Sequence, residues 1–320
     1  MNSSPRKVHV VLGASGGAGS AILSALAAAG LPTRGVARHP RTACAPSAAQ
    51  WTCADLADAA ALDAALADAA VVYMAAQPPY HRWPQQFPAM LDAVVRAASR
   101  AGARLVMVDN LYAYGPGASP MVETSPARAR DRKGRTRAAM ADRLLADHAT
   151  GRLEVVIGRA SDYFGPSAPT STITALAIEP APGAGRLRWM GSLDAVHSCA
   201  YLPDLARAYV ALGTAPDVTG RIWHLPHEPA VTGRQFLSLV NDALPAPRPM
   251  SVVSTGMLRL AAPVHRISRE SLPLAHQWTD PFVVDDSSFR ARFPDVATTP
   301  LADAVAQTLV GQSAPMARHE

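Results

Sequence analysis

Val8-His9-Val10-Val11-Leu12-Gly13-Ala14-Ser15-Gly16-Gly17-Ala18-Gly19-Ser20-Ala21-Ile22 reads as a short apolar strand, a glycine-rich turn and the start of an alanine-rich helix reaching about Ala29. Gly13, Gly16 and Gly19 have G-x-x-G-x-x-G spacing, with Ser15 and Gly17 in the same turn. The first glycine permits a tight turn, the second lets backbone approach a pyrophosphate, and the third lets helix pack close on strand. Exposed amides at the helix start, together with the macrodipole, favour a phosphate there. The spacing alone is weak; the strand before it and the helix after it are the context it requires. A dinucleotide is expected on this turn, the alternative being a glycine-rich turn in an ordinary strand-helix unit.

Working outward, a second strand is expected at 33–37 and a third at 50–53, the latter running into Ala54-Asp55-Leu56 and a helix through Leu66. A fourth, 71–74, ends in Ala75-Ala76; a helix over about 85–101 leads to a fifth at 104–108 and, after the helix to about His148, a sixth at 153–157. Alternating strands and helices, with the strands almost wholly apolar, imply an α/β fold: a doubly wound parallel sheet covered on both faces. Beyond Pro166 the pattern is irregular. The chain has 28 prolines, roughly 9% against a usual ~5%, and several cluster between Pro245 and Pro273. We therefore expect a dinucleotide-binding domain over 1–165, with 201–226 returning to it, and a smaller loop-rich α+β substrate domain from 166–200 and 227–320.

The charge of +5 suits anionic small molecules as well as nucleic acid and does not choose, but the aromatic content of 6%, with no basic stripe interleaved with aromatics, argues against a single-strand binding face, and no nucleic-acid partner is expected. Cys44, Cys53 and Cys199 form no C-x-x-C pair and fit a reducing compartment. The apolar run 8–31 carries spaced glycines and serines rather than a signal or stop-transfer pattern, so a soluble cytoplasmic protein without a membrane segment is expected. His224-x-x-His227-Glu228 resembles a metal spacing but falls at a strand end instead of along a helix face, and no metal is expected.

No acid lies between Leu31 and Cys53, where dinucleotide-binding units place the carboxylate that bonds a ribose 2′-hydroxyl. Arg38 and Arg41 stand there instead, and guanidinium suits a 2′-phosphate. NADP(H) is preferred to NAD(H), which stays possible.

These residues together resemble the extended short-chain dehydrogenases/reductases, the NAD(P)-dependent epimerase/dehydratase-like family. The resemblance runs through Gly13 to Gly19, Asp55-Leu56, Ala75-Ala76, Tyr114-Gly115, Arg159 to Pro166, Tyr201 to Leu205 and Phe282 to Asp286. It implies that Asp55 and Leu56 lie by the adenine, that Ala75 and Ala76 line the nicotinamide side, and that copies of the chain pair into a homodimer through the helix bearing the catalytic residues.

The catalytic trio departs from the family. Five residues before Gly115, where the family has Ser or Thr, stands Asn110; Lys133 and Arg137 occupy the Tyr-x-x-x-Lys positions. Asn110 can donate a hydrogen bond to a carbonyl, and Arg137 keeps the cation for the nicotinamide ribose. Of 30 basic residues only Lys7 and Lys133 are lysine, and a titratable amine is what lysine offers over arginine. With Arg137 one turn on, a like charge would ease proton loss from Lys133. The alternative is an exposed helix-start lysine in a remodelled site. Tyr112 is a further candidate proton donor. Tyr80, His81, Trp83, Asp162, Tyr163, His197 and Tyr201 are candidate substrate contacts, each also a candidate for packing.

The function expected is an NADPH-dependent oxidoreductase moving hydride to or from a small carbonyl compound. A redox-neutral epimerase, dehydratase or isomerase is the first alternative, and a non-catalytic NADP(H) sensor the second.

Overall fold

The computed structural model describes residues 7–39, 49–183 and 185–313. In chain order its first part comprises β1 (Val8–Leu12), α1 (Gly17–Ala28), β2 (Thr33–Ala37), β3 (Gln50–Cys53), α2 (Ala59–Leu66), β4 (Ala69–Met74), α3 (Trp83–Ala101), β5 (Arg104–Asn110), α4 (Arg132–Ala149) and β6 (Val155–Ala160). Then follow β7 (Asp162–Phe164), β8 (Leu187–Met190), β9 (Val196–His197), β10 (Cys199–Tyr201), α5 (Leu202–Thr214), β11 (Ile222–His224), β12 (Val231–Thr232) and α6 (Gly233–Asp242). The chain continues with β13 (Met250–Val253), α7 (Thr255–Ala261), α8 (Arg266–Ser271), α9 (His276–Thr279), α10 (Ser287–Arg292) and α11 (Leu301–Ser313).

Seven strands form one parallel sheet in the order β11-β6-β5-β4-β1-β2-β3. Side chains alternate across it, as a period of two requires. From β4, Val72 and Met74 join Phe87 and Leu91 of α3 and Leu144 of α4 on one face, while Val71 and Tyr73 join Ile22 of α1 and Tyr209 of α5 on the other. A separate apolar cluster gathers Phe164, Trp189, Phe236, Trp278 and Leu309 from the C-terminal half.

Three strands outrun the sequence expectation, β4 by beginning at Ala69. β5 continues to Asn110, and β6 begins at Val155 and continues to Ala160. Asp109 lies opposite Arg159 in the ladder and their side chains form an ion pair. The cross-strand pair extends the ladder and carries Asn110 to the sheet's carboxyl edge.

Candidate active site

The strand order runs outward one way from β1 through β2 and β3 and the other way from β4, and ligands of open α/β sheets bind at the carboxyl ends of the strands flanking such a switch point, here β1 and β4. The turn after β1 lies there. Gly13 has φ +81°, and a Cβ on it would stand 2.6 Å from Ala76 Cα; one on Gly19 would stand 2.2 Å from Gly13 O. Both glycines are therefore fixed by backbone contact. Gly16 is exposed and a Cβ there would meet only Gly13 O, at 3.3 Å, so its outer side is open. No side chain caps α1, whose N-cap is Gly16, leaving amides for an anion. Gly17 is buried against the loop after β7, its Cβ position 3.1 Å from Ser167 O. A dinucleotide pyrophosphate fits this cradle.

The rim agrees in chemistry. Ser15 Oγ donates to His39 O at 2.8 Å, holding the segment after β2 against the turn, and exposed Arg38 sits in that segment. Arg41 lies outside the described residues. Asp55 is exposed, its carboxylate accepting from Ala57 N at 3.0 Å, while Leu56 is buried in the core. Half-buried Ala75 and Ala76 follow β4 directly.

The altered trio takes an arrangement that spacing alone did not suggest. Asp131 caps α4, accepting from Lys133 N and Gly134 N at 2.9 Å each. Lys133 is buried, with Nζ donating to the Glu270 carboxylate and, at 3.2 Å, to Glu270 O. The same Nζ stands 4.3 Å from the centre of the Tyr80 ring. The amine thus faces an anion of α8; the like-charge neighbour expected from Arg137 is not its partner. Arg137 is buried deeper in the same helix, 3.3 Å from Asp109 Oδ1, donating to Val108 O at 3.4 Å, with its guanidinium against the rings of Trp83 (4.5 Å) and Phe87 (4.6 Å). Arg159 holds the other Asp109 oxygen at 2.8 Å. One aspartate therefore serves two buried guanidiniums.

Asn110 Oδ1 accepts from Tyr112 N at 3.1 Å, fixing the start of the turn after β5. The Tyr80 hydroxyl donates to that of Tyr112 at 3.4 Å. Among the described residues the Tyr112 hydroxyl proton has no protein acceptor. Burial, and then the Asp162 carboxylate, push the Tyr112 hydroxyl well above its ordinary value of 10.0, so it is a neutral donor. Asp162 acts in the same direction on Tyr80 and Tyr163, placing these four side chains in one electrostatic neighbourhood. Tyr163 OH shares a hydrogen bond with Thr170 at 3.1 Å.

His197 is buried, stacked between Trp278 (4.4 Å) and Phe282 (5.0 Å); its Nδ1 donates to Gln277 O and its Nε2 meets Asp162 Oδ2, both at 3.1 Å. It therefore orients Asp162 from behind. Half-buried His81 is near Arg266 and Arg82. The expected aromatics Trp83 and Tyr201 are packing groups: Trp83 Nε1 donates to Pro78 O at 3.1 Å, and Tyr201 donates to Gln307 Oε1 at 3.0 Å. His224 and His227 likewise place both ring nitrogens on protein groups, Tyr114 and Asp285 O for one, Glu228 O and Val284 O for the other.

The sequence reading missed Glu270 and Asp109. Nothing local marks Glu270, which lies 137 positions from Lys133. Asp109 carried a signal, a lone carboxylate at a strand end facing an arginine-rich helix start.

Comparisons with known proteins agree with this geometry. No curated protein sequence is significantly similar to the chain. Among solved structures, a putative epimerase from Burkholderia cenocepacia J2315 superposes with a TM-score of 0.78 at 20% identity, covering 98% of this chain and 100% of that one. UDP-glucose 4-epimerase of Thermus thermophilus, complexed with NAD, gives 0.75 at 16%, covering 97% and 100%. The dTDP-glucose 4,6-dehydratase of Bacillus anthracis str. Ames, in complex with NAD, gives 0.78 at 13%, covering 95% and 96%. At such identities these likenesses speak for the fold alone. The family model described as NAD dependent epimerase/dehydratase matches residues 9–225. With that match over most of its length, the chain belongs to the NAD dependent epimerase/dehydratase family.

Proposed function

We propose that this enzyme is an NADP(H)-dependent oxidoreductase of a small carbonyl or carbinol substrate, with Tyr112 as the proton donor in place of the family's missing tyrosine. The observation that carries this reading is the place of Tyr112, beside Asn110 at the sheet's carboxyl edge with only the Tyr80 hydroxyl, among the described residues, against its own, while the Lys133 amine is held by Glu270. The nicotinamide, when bound, supplies or accepts the hydride. Asn110 orients the substrate oxygen through its amide, and Tyr112 delivers a proton to that oxygen and recovers one from solvent through Tyr80. Asp162, held by His197, accepts a hydrogen bond from a substrate donor group. Lys133 and Arg137 keep the start of α4 in place from below. The turn Gly13, Ser15, Gly16, Gly17 and Gly19 holds the pyrophosphate, and Arg38 the 2′-phosphate.

NADPH oxidation across a panel of small aldehydes and ketones tests the reading. Tyr112→Phe is expected to lower kcat by about 10²–10⁴-fold, the range of a lost general acid, whereas Lys133→Met retains most of it. Unchanged turnover in Tyr112→Phe overturns the assignment.

A second reading, a redox-neutral epimerase or dehydratase, is favoured by the family itself. Dinucleotide that stays with the protein through purification, with no net NADPH consumption on any substrate, selects it. We further propose the division of the chain into 1–165 plus 201–226 and 166–200 plus 227–320, supported by an apolar cluster drawn mainly from the second set of residues. A cytoplasmic site of action suits the free thiols of Cys53 and Cys199. A homodimer contact is proposed on the face shared by α3 and α4, where Pro88, Leu91, Ala139 and Met140 line a groove; light scattering tests it.

A further inference from the structure

Large apolar side chains crowd one exposed hairpin at the outer end of the C-terminal half. Met257 and Leu260 on α7, Val264 in the turn and Ile267 on α8 are 57%, 84%, 91% and 69% exposed. They make up four of the six exposed large hydrophobics among the described residues, so they are concentrated where single scattered ones are the rule. The proposed chemistry uses none of them.

The charge around them has one sign. Arg259, Arg266 and Arg269 are all exposed on the same two helices, and none is ion-paired among the described residues. From Ala243 to Arg269 the sequence has no Asp or Glu, while it has four arginines and His265. The first carboxylate after that stretch, Glu270, is neutralised by Lys133. Arg82 and His81 lie near Arg266 and add to the basic rim. No helix of the described residues is long and apolar enough to cross a membrane. A short apolar tip ringed by unpaired guanidiniums suits a different relation to lipid, in which the tip enters the headgroup boundary and the cations meet anionic headgroups.

We infer that the α7–α8 hairpin is a peripheral docking surface for an anionic phospholipid bilayer. This revises the expectation of no membrane partner while leaving the chain without a spanning segment. It is independent of the reaction proposed above. The position has a use, because α8 carries Glu270 to Lys133 and docking would bring the mouth of the candidate site to the lipid surface.

Co-sedimentation of the full chain with vesicles tests it, using phosphatidylcholine alone and phosphatidylcholine mixed with phosphatidylglycerol, at low and high salt. The expected result is binding to the mixed vesicles that weakens with salt, and little binding to the neutral ones. The Leu260→Glu, Val264→Glu double variant is expected to lose about tenfold or more in partitioning. Each of Arg259→Gln, Arg266→Gln and Arg269→Gln is expected to lose about fivefold on anionic vesicles. Unchanged urea midpoints in the variants show that they are folded. Absence of binding to the mixed vesicles, or equal binding by wild type and the double variant, overturns the inference. So does light scattering that finds a dimer which the double variant breaks, since the patch then belongs to a second copy of the chain.

Discussion

Lys133 at the start of α4 and Glu270 at the end of α8 form an ion pair beside the ring of Tyr80, joining the sheet domain's helix to the C-terminal half. Its two ends differ in exposure: the Lys133 side chain is 9% exposed and that of Glu270 is 25%. Removing the carboxylate leaves a desolvated ammonium, whereas removing the amine leaves a carboxylate that water can reach. Glu270→Gln is therefore expected to destabilise by about 2 kcal/mol and Lys133→Met by about half that. Urea denaturation of both variants gives the comparison; a larger loss in Lys133→Met would contradict it.

Asp109 is expected to be a severe position for stability. Asp109→Asn removes the one anion between Arg137 and Arg159, each 4% exposed at the side chain. Loss of about 3–5 kcal/mol is expected, as for a buried pair that loses one partner. Equilibrium unfolding measures it, with Asp63→Asn as a comparison, since its ion pair with Arg100 is exposed on both sides and about 0–1 kcal/mol is expected there.

On the function proposed, Arg38 is the residue that chooses between the two dinucleotides. Arg38→Ala is expected to raise the Kd for NADP+ by about tenfold or more, the worth of a charge-assisted hydrogen bond, while leaving that for NAD+ nearly unchanged. Titration calorimetry with both dinucleotides checks this, and parallel losses for the two would remove the 2′-phosphate contact.

Stability should fall on the acid side of neutrality. His224 Nδ1 donates to Asp285 O at 3.0 Å, so Nε2 accepts from the Tyr114 hydroxyl at 2.6 Å and the ring is neutral in the fold. Burial is the main cause holding the His224 pKa below its ordinary 6.5, and burial does the same to His9. As pH drops through about 6.5 the unfolded chain takes up protons that the folded chain refuses, so ΔG of unfolding declines until the folded pKa is passed. Above about 6.5 neither state is protonated at these rings and their contribution is flat. Urea midpoints from about pH 7 down to about pH 5 are expected to fall, and to fall less steeply in His224→Gln.

The sheet and the glycine turn were legible because they rest on local rules. Alternation along 71–74 assigns Val72 and Met74 to one face and Tyr73 to the other, and Gly13 and Gly19 sit where a backbone contact forbids a Cβ. The site's polar wiring was not legible, because each partner comes from a distant segment. Glu270 reaches Lys133 across the interface of two cores, and a charge at position 270 looks like any solvated helix residue until α8 is placed. Strands five and six were read short, to Val108 and Ile157, for a related reason: Asp109 and Arg159 become a ladder pair only when the two strands are side by side. Trp83 and Tyr201 misled as candidate contacts because an aromatic in a loop-rich stretch carries no sign of which side it faces.

The contact of Gly17 with Ser167 and Ala168 has a kinetic consequence. The amides proposed to receive a pyrophosphate stand close to the chain that leads into the C-terminal core, so filling the first would firm the approach to the second. Turnover should then follow a compulsory order, dinucleotide on before substrate and off after product.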